Sequence, residues 1–198
     1  MGAFRYKGNV YPYFNGTYNG TRLNERAVEV PIALSYLNQS LRALEVGAVL
    51  PHYIPLWPMC AHECIDLNEQ FNCVVNADVL TYQPNGKFGL VVSISTLDHL
   101  NSANEVRTAV ERMKSWLVPG GLLFITLPAN QPAEIGGGPW LDEMVLSGEL
   151  GMSVTRMDKV NAIHHLWEER PLLTSPSLAY GTPTANANTV YLLEYVNE

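Results

Sequence analysis

Four carboxylates stand where short apolar runs end. Glu45 sits in RALEVG, Asp66 closes HECID, Asp78 closes CVVNAD, and Asp98 follows LVVSISTL. Apolar runs of this length, bounded by turn residues, read as strands. In an open α/β sheet the C-terminal ends of the strands line the crevice that binds ligands. A row of carboxylates along such a crevice points to a ligand rich in hydroxyl and amino donors, such as a ribose and an adenine.

The rest of the chain supplies what such a sheet needs. KFGLVVSIS and GLLFITLP are nearly continuous apolar runs, as expected of strands buried on both faces of a parallel sheet. SANEVRTAVERMKSWL is the clearest helix. Val106, Ala109, Val110, Met113, Trp116 and Leu117 line one face, Ser102 caps its start, and Pro119-Gly120-Gly121 stops it. NERAVEVPIALSYLNQ predicts an earlier helix with Asn24 as N-cap, kinked or split at Pro31. PWLDEMVLSGEL reads as a third helix with Pro139 near its first turn. MSVTRMDKV, AIHHLWEER and TVYLLEYV read as closing strands, with the Pro/Ser/Thr/Asn-rich stretch TSPSLAYGTPTANAN as a loop between the last two. The alternation predicts an α/β fold: a Rossmann-like doubly wound, mostly parallel sheet ending in an antiparallel hairpin. Residues 1–23, rich in Tyr, Asn and Gly, read as a loop-like arm. The organisation expected is an arm and capping helix over 1–40 and a single domain over 41–198.

Composition bounds the partners. The chain has 198 residues, 12 Lys and Arg against 19 Asp and Glu, and a formal net charge of −7. That suits one domain with a full core and argues against a surface that tracks nucleic-acid phosphates. No apolar run reaches the ~18 residues of a spanning helix, so no membrane partner is expected. The first residues lack the apolar core of a secretory signal, and Tyr6 stands where a myristoylation motif wants Ser or Thr. Three cysteines, Cys60, Cys64 and Cys73, fit reduced thiols and a cytoplasmic location. Cys60-x-His62-x-Cys64 has metal-like spacing, but a closed zinc site wants four ligands and no second pair follows. No metal is expected.

The order ALEVG, IDLNE, NADVLTY, FGLVVSISTLDHL, LVPGGLLFITLP resembles the class I S-adenosylmethionine-dependent methyltransferases over about residues 41–128, with the terminal pair HHLWEER and TVYLLEYV resembling that family's antiparallel end. The resemblance implies S-adenosyl-L-methionine as cofactor and methyl transfer to a small-molecule acceptor. Glu45 and Gly47 match the acidic residue and first glycine of the family's first motif, and Asp66 matches the acidic residue that accepts hydrogen bonds from both ribose hydroxyls. Asp78 matches the acidic residue near the adenine amino group, with the Val79 amide beside it. Ser93 and Ile94 match the strand end beneath the methionine portion, and His99 matches a position facing the acceptor. The neighbours Ala48, Leu67, Ala77 and Ser95 join this implied cofactor set, and Tyr53 is placed to help the arm close the site. A homodimer is a possible assembly. One position departs from the family: Val49 stands where a second glycine is usual.

Each residue also has a plainer reading. Glu45 can be a surface carboxylate, Asp66 an N-cap, Asp78 an Asx turn, and Asp98 a cap or ion-pair partner. His99 can serve as general base or merely shape the pocket. Tyr11, Tyr13, Phe14 and Tyr18 can wall the adenine or pack a lid, and Glu25 and Arg26 can reach the cofactor or form a solvated first turn. The Val49 departure motivates an alternative, a non-catalytic S-adenosylmethionine-binding or regulatory domain. A nucleotide-dependent oxidoreductase is disfavoured, because a phosphate cradle wants more than one glycine.

Overall fold

The computed structural model describes residues 2–16, 18–40, 42–53, 61–129, 138–161, 164–172 and 188–198. Among the described residues, an eight-stranded sheet runs through the centre. Its strands are β3 (Arg42–Val46), β4 (Ala61–Asp66), β5 (Val75–Asn76), β6 (Phe88–Ile94), β7 (Leu117–Pro128), β8 (Ser153–Asn161), β9 (Leu166–Arg170) and β10 (Thr189–Val196), in the order β5-β4-β3-β6-β7-β10-β8-β9. β5, β4, β3, β6 and β7 are parallel neighbours. β10 runs antiparallel to both β7 and β8, and β8 is antiparallel to β9. Two consecutive antiparallel steps return β8 to the direction of β6 and β7. The ends of β3, β4, β6 and β8 therefore share one edge of the sheet.

Side chains alternate between the two faces, as the period of 2 requires. Leu44, Val91, Leu123, Ile125 and Leu193 join one core, against α2 (Ala103–Ser115) and α3 (Gly138–Ser147). Ala43, Leu90, Val92, Phe124 and Leu192 join the other, against α1 (Arg26–Leu37) and Phe4 and Tyr6 of the N-terminal strand β1 (Ala3–Tyr6).

Several sequence expectations need correcting. The arm is not loop-like throughout, because β1 pairs with β2 (Asn9–Pro12) as an antiparallel hairpin. Tyr6 and Tyr36 hydroxyls and Lys7 all donate to Glu194 on β10, which fastens this hairpin to the sheet. Pro31 neither splits nor ends α1. Its missing N–H frees the carbonyl of Ala27, one turn back, and the Phe14 amide donates to that carbonyl at 3.0 Å. The helix thus turns its own defect into an anchor for the arm. α2 carries the expected Ser102 cap, which accepts from the Glu105 amide. Pro119-Gly120-Gly121 lies inside β7 rather than in a stop after the helix, and Gly120 takes a positive φ of 75°. HHLWEER and TVYLLEYV do not pair with each other. β8 lies between β9 and β10, and β8–β9 forms the antiparallel hairpin. The CVVNAD run contributes only the two residues of β5.

Candidate active site

The loop after β3 carries the first of the four carboxylates, and the structure gives it a structural duty. Glu45 is fully buried. Its Oε1 accepts from the amides of Val49 and Leu50 at 2.9 and 2.8 Å, capping the single turn Leu50–His52. Its Oε2 lies 3.3 Å from Nε2 of His62, whose side chain is also fully buried. The turn at Val49 therefore replaces a further glycine bend, and Glu45 shapes the loop without reaching the crevice. Gly47 adopts φ 87°, and a Cβ there would lie 2.0 Å from Oγ1 of Thr96. The close approach that forbids a side chain is made by Thr96.

Beside this loop lies a cavity of about 250 Å³. Gly47, Asp66, Leu67, Ala77, Asp78, Val79 and His99 line it, together with Val46, Ile65, Asn68, Thr96, Leu97 and Leu100. Asp66 ends β4, and its Oδ1 accepts from the amides of Asn68 and Glu69 at 2.8 and 2.9 Å. Its Oδ2 accepts from the Ala48 amide at 3.2 Å, so this carboxylate ties the first loop to the second. Asp78 forms an Asx turn, Oδ1 accepting from the Leu80 amide at 2.8 Å. Arg112 on α2 holds that turn in place by donating to the carbonyls of Val79 (2.9 Å) and Tyr82. The pocket lining thus combines two carboxylates with the apolar side chains of Leu67, Val79, Leu97 and Leu100.

The remaining residues of the expected set lie elsewhere. Ser93 is buried and donates to the carbonyl of Val46 at 2.9 Å, bracing β6 on β3. Ile94 is buried in the core that faces α1. Ser95 follows β6 in a strained φ of 39° and donates to Oε1 of Glu29 at 2.6 Å. Tyr53 packs edge-on against Phe14 and Tyr18, and its hydroxyl accepts from Thr21 at 2.7 Å. Burial raises the pKa of its phenol. His99 sits on the pocket rim with 70% of its side chain exposed, 3.8 Å from Asp98 Oδ2. Of the aromatic wall, Tyr18 is half exposed and stacks on His52 with ring centroids 4.1 Å apart. Cys60 lies outside the described residues, and among the described residues no group of His, Cys, Asp and Glu could hold a metal.

A second cluster of charged groups is buried on the other side of β6. Glu29 is fully buried, accepts from Ser95 and pairs with Arg26 at 2.6 Å. Glu25 precedes α1 and is 8% exposed; burial first, and then the charge of Glu29, push its carboxyl up to about 7. Lys159, at the end of β8, is buried and donates to the carbonyl of Leu23 at 2.6 Å. Burial lowers its pKa, and Glu25 partly offsets that. Asp98 is buried and adds its charge to that of Glu29 in raising Glu25. The spacing Glu25, Arg26, Glu29 puts these three on one turn of helix, a pattern visible in the sequence. Nothing in the sequence indicated Lys159.

No protein-family model matches the chain, and no curated protein sequence matches it significantly. Its architecture does match solved structures. N-methyltransferase NodS from Bradyrhizobium japonicum WM9 superimposes with a TM-score of 0.54 at 16% identity, covering 87% of this chain and 96% of that one. The same enzyme in complex with S-adenosyl-L-homocysteine gives 0.54 at 17% identity over 92% and 93%. Magnesium protoporphyrin IX methyltransferase (ChlM) from Synechocystis PCC 6803 with bound SAM gives 0.54 at 15% identity over 93% and 87%. With the sheet order, the antiparallel end and the strand-end pocket, these matches show that the chain has the fold of the class I S-adenosylmethionine-dependent methyltransferases.

Proposed function

We propose that this protein is an S-adenosylmethionine-dependent methyltransferase acting on a small molecule. The observation that carries this reading is the pocket at the ends of β3 and β4, lined by Asp66 and Asp78 together with Leu67, Val79, Leu97 and Leu100. Hydrogen-bond accounting supports the fit. A carboxylate oxygen offers two lone pairs, and Asp66 Oδ2 has one amide donor, so it retains capacity for a ribose hydroxyl. Asp78 Oδ2 is open in the same way for the adenine amino group, and Leu67, Val79, Leu97 and Leu100 offer apolar contact to a planar base.

At about 250 Å³ the pocket is smaller than the ~300–1,000 Å³ typical of whole-ligand sites. It suits the nucleoside half, with the rest of the ligand passing over Gly47 towards the end of β6. S-Adenosylmethionine, when bound, supplies a methyl group already activated on sulfur. The chain's own work is then to position the acceptor and exclude water. Glu45 acts here as a positioning residue: it sets the loop that presents Gly47 and Ala48. His99, exposed on the rim, contributes to the entrance. The net charge of −7 favours a small-molecule acceptor over nucleic acid.

Asp66→Ala provides the test. It removes the acceptor for the ribose hydroxyls and the tie to Ala48. A hydrogen bond to a charged group contributes about 1.5–3 kcal/mol, so affinity for S-adenosylhomocysteine should fall about tenfold or more in a calorimetric titration. Unchanged affinity in a folded Asp66→Ala variant would remove the pocket assignment.

A further inference from the structure

Three loops from different parts of the chain meet at one ring beside the nucleoside pocket. His52 closes the turn Leu50–His52, the turn that Glu45 caps. Tyr18, in the short 3-10 helix Tyr18–Leu23 of the arm, stacks on His52 with ring centroids 4.1 Å apart and planes 6° from parallel. The Tyr18 hydroxyl lies 3.4 Å from His52 Nε2, at the limit of hydrogen-bond reach. Phe71, in the loop after β4, packs edge-on against the same imidazole at 4.7 Å. Oε2 of Glu69, in that loop too, lies 3.0 Å from His52 Nε2. The Glu69 amide in turn donates to Oδ1 of Asp66 at 2.9 Å, and Asp66, Leu67 and Asn68 line the pocket. This loop buries little of itself: Leu67 is 63% exposed and Phe71 40%. A segment with few buried apolar contacts opens easily, so side-chain ties of this kind set its position. His52 thus joins the arm to the segment that carries the carboxylate for the ribose.

We infer that the arm and the methyl donor bind cooperatively through His52: Tyr18 seated on this ring holds the loop 66–71 in its donor-binding form, and bound donor holds the seat for Tyr18. His52 is a positioning residue in this device, acting through Glu69 and Phe71 and not on the donor itself. The inference rests on the methyl-transfer reading above. The ring contacts supply the coupling. An aromatic pair contributes beyond the area it buries and depends on ring geometry, so the stack holds only while arm and loop are both in place. Tyr18 is itself 48% exposed, so its seat is made by the rings of His52 and Tyr53 and not by the core. Such a coupling is reciprocal: the factor by which the seated arm tightens donor binding is the factor by which donor tightens the arm. An arm that settles when donor is bound also excludes water from the crevice at the stage where methyl transfer needs it.

The test compares the full chain as wild type, Tyr18→Phe, Tyr18→Ala and His52→Gln, each with and without saturating S-adenosylhomocysteine. Amide hydrogen exchange over Tyr18–Leu23 reports the arm, exchange in β6 and β7 reports the fold, and calorimetric titration reports donor affinity. In wild type, S-adenosylhomocysteine should slow exchange over Tyr18–Leu23 several-fold. Tyr18→Phe keeps the ring and should behave as wild type. Tyr18→Ala and His52→Gln should each bind S-adenosylhomocysteine about fivefold more weakly, and exchange over Tyr18–Leu23 should no longer respond to it. A merely structural role for these residues would leave that response in place. Exchange over Tyr18–Leu23 that ignores S-adenosylhomocysteine in wild type that binds it overturns the inference. So does wild-type affinity in folded Tyr18→Ala, or a Tyr18→Phe chain that loses as much as Tyr18→Ala. His52→Gln reads the same stack from its other face, so a Tyr18→Ala chain that fails to fold leaves the test intact. Failure of wild type to bind S-adenosylhomocysteine is a different result, and it removes the methyl-transfer reading itself.

Discussion

On the β3–β4 side of the crevice, carboxylates are held by backbone amides. Glu45 accepts from residues 49 and 50, and Asp66 from residues 48, 68 and 69. On the β6–β8 side, the carboxylates meet side chains from distant elements. Glu29 meets Ser95 and Arg26, while Glu25 and Asp98 repel one another and Lys159 approaches from β8. Backbone amides make a fixed cradle, whereas side-chain contacts tie together elements far apart in sequence.

The comparison breaks most severely at Glu45. Glu45→Ala strips two amides of their acceptor and leaves His62 buried beside an empty site. Removing one partner of a buried pair costs about 3–5 kcal/mol, so urea unfolding should show a loss of that order; a loss under 1 kcal/mol would mean the cap is dispensable. Gly47→Ala comes next. A side chain at φ 87° is strained, and the new Cβ meets Thr96, for a combined cost of about 2–4 kcal/mol. Thr96→Gly in the same chain should recover the packing part of that loss.

The Glu25 effect is smaller and depends on pH. Its folded pKa, about 7, lies above the ordinary glutamate value of 4.5. The folded state therefore holds the proton more tightly between those values, and the stabilisation present below pH 4.5 is lost as pH rises through 7. The groups facing Glu25 are Arg26 and Glu29 on α1, Asp98 after β6 and Lys159 on β8. Melting temperatures should show Glu25→Gln matching wild type near pH 5 and exceeding it by a few degrees at pH 8; parallel profiles would contradict the burial argument. The smallest effect belongs to His99→Ala. With its side chain 70% exposed, stability should change by no more than about 0.5 kcal/mol, and donor affinity should stay within a few-fold of wild type.

What the sequence disclosed follows the same division. The parallel half was legible because its signals are local: apolar runs closed by a carboxylate, a Ser102 cap, and Gly47 at a turn. The pocket residues Gly47, Asp66, Leu67, Ala77, Asp78 and Val79 came from that pattern and from the family resemblance. Glu45, Ser93 and Ile94 were placed correctly on strands but face inward, because a one-dimensional pattern marks strand ends without saying which face is wet. The insertion of β10 between β7 and β8 was not legible, since long-range pairing leaves no mark on a neighbouring residue. Through that strand order Lys159 on β8 reaches the carbonyl of Leu23, just before α1. Pro31 misled for a related reason: the Phe14 amide that satisfies Ala27 comes from the arm, outside the helix.

The central claim is that the Gly47–Asp66–Asp78 pocket takes the nucleoside of S-adenosylmethionine. Calorimetric titration of the wild-type protein with S-adenosylhomocysteine tests it most directly. The account predicts saturable binding of one molecule per chain, lost in Asp66→Ala. Absence of any binding by folded wild-type protein would contradict it and leave the chain a relative in fold alone.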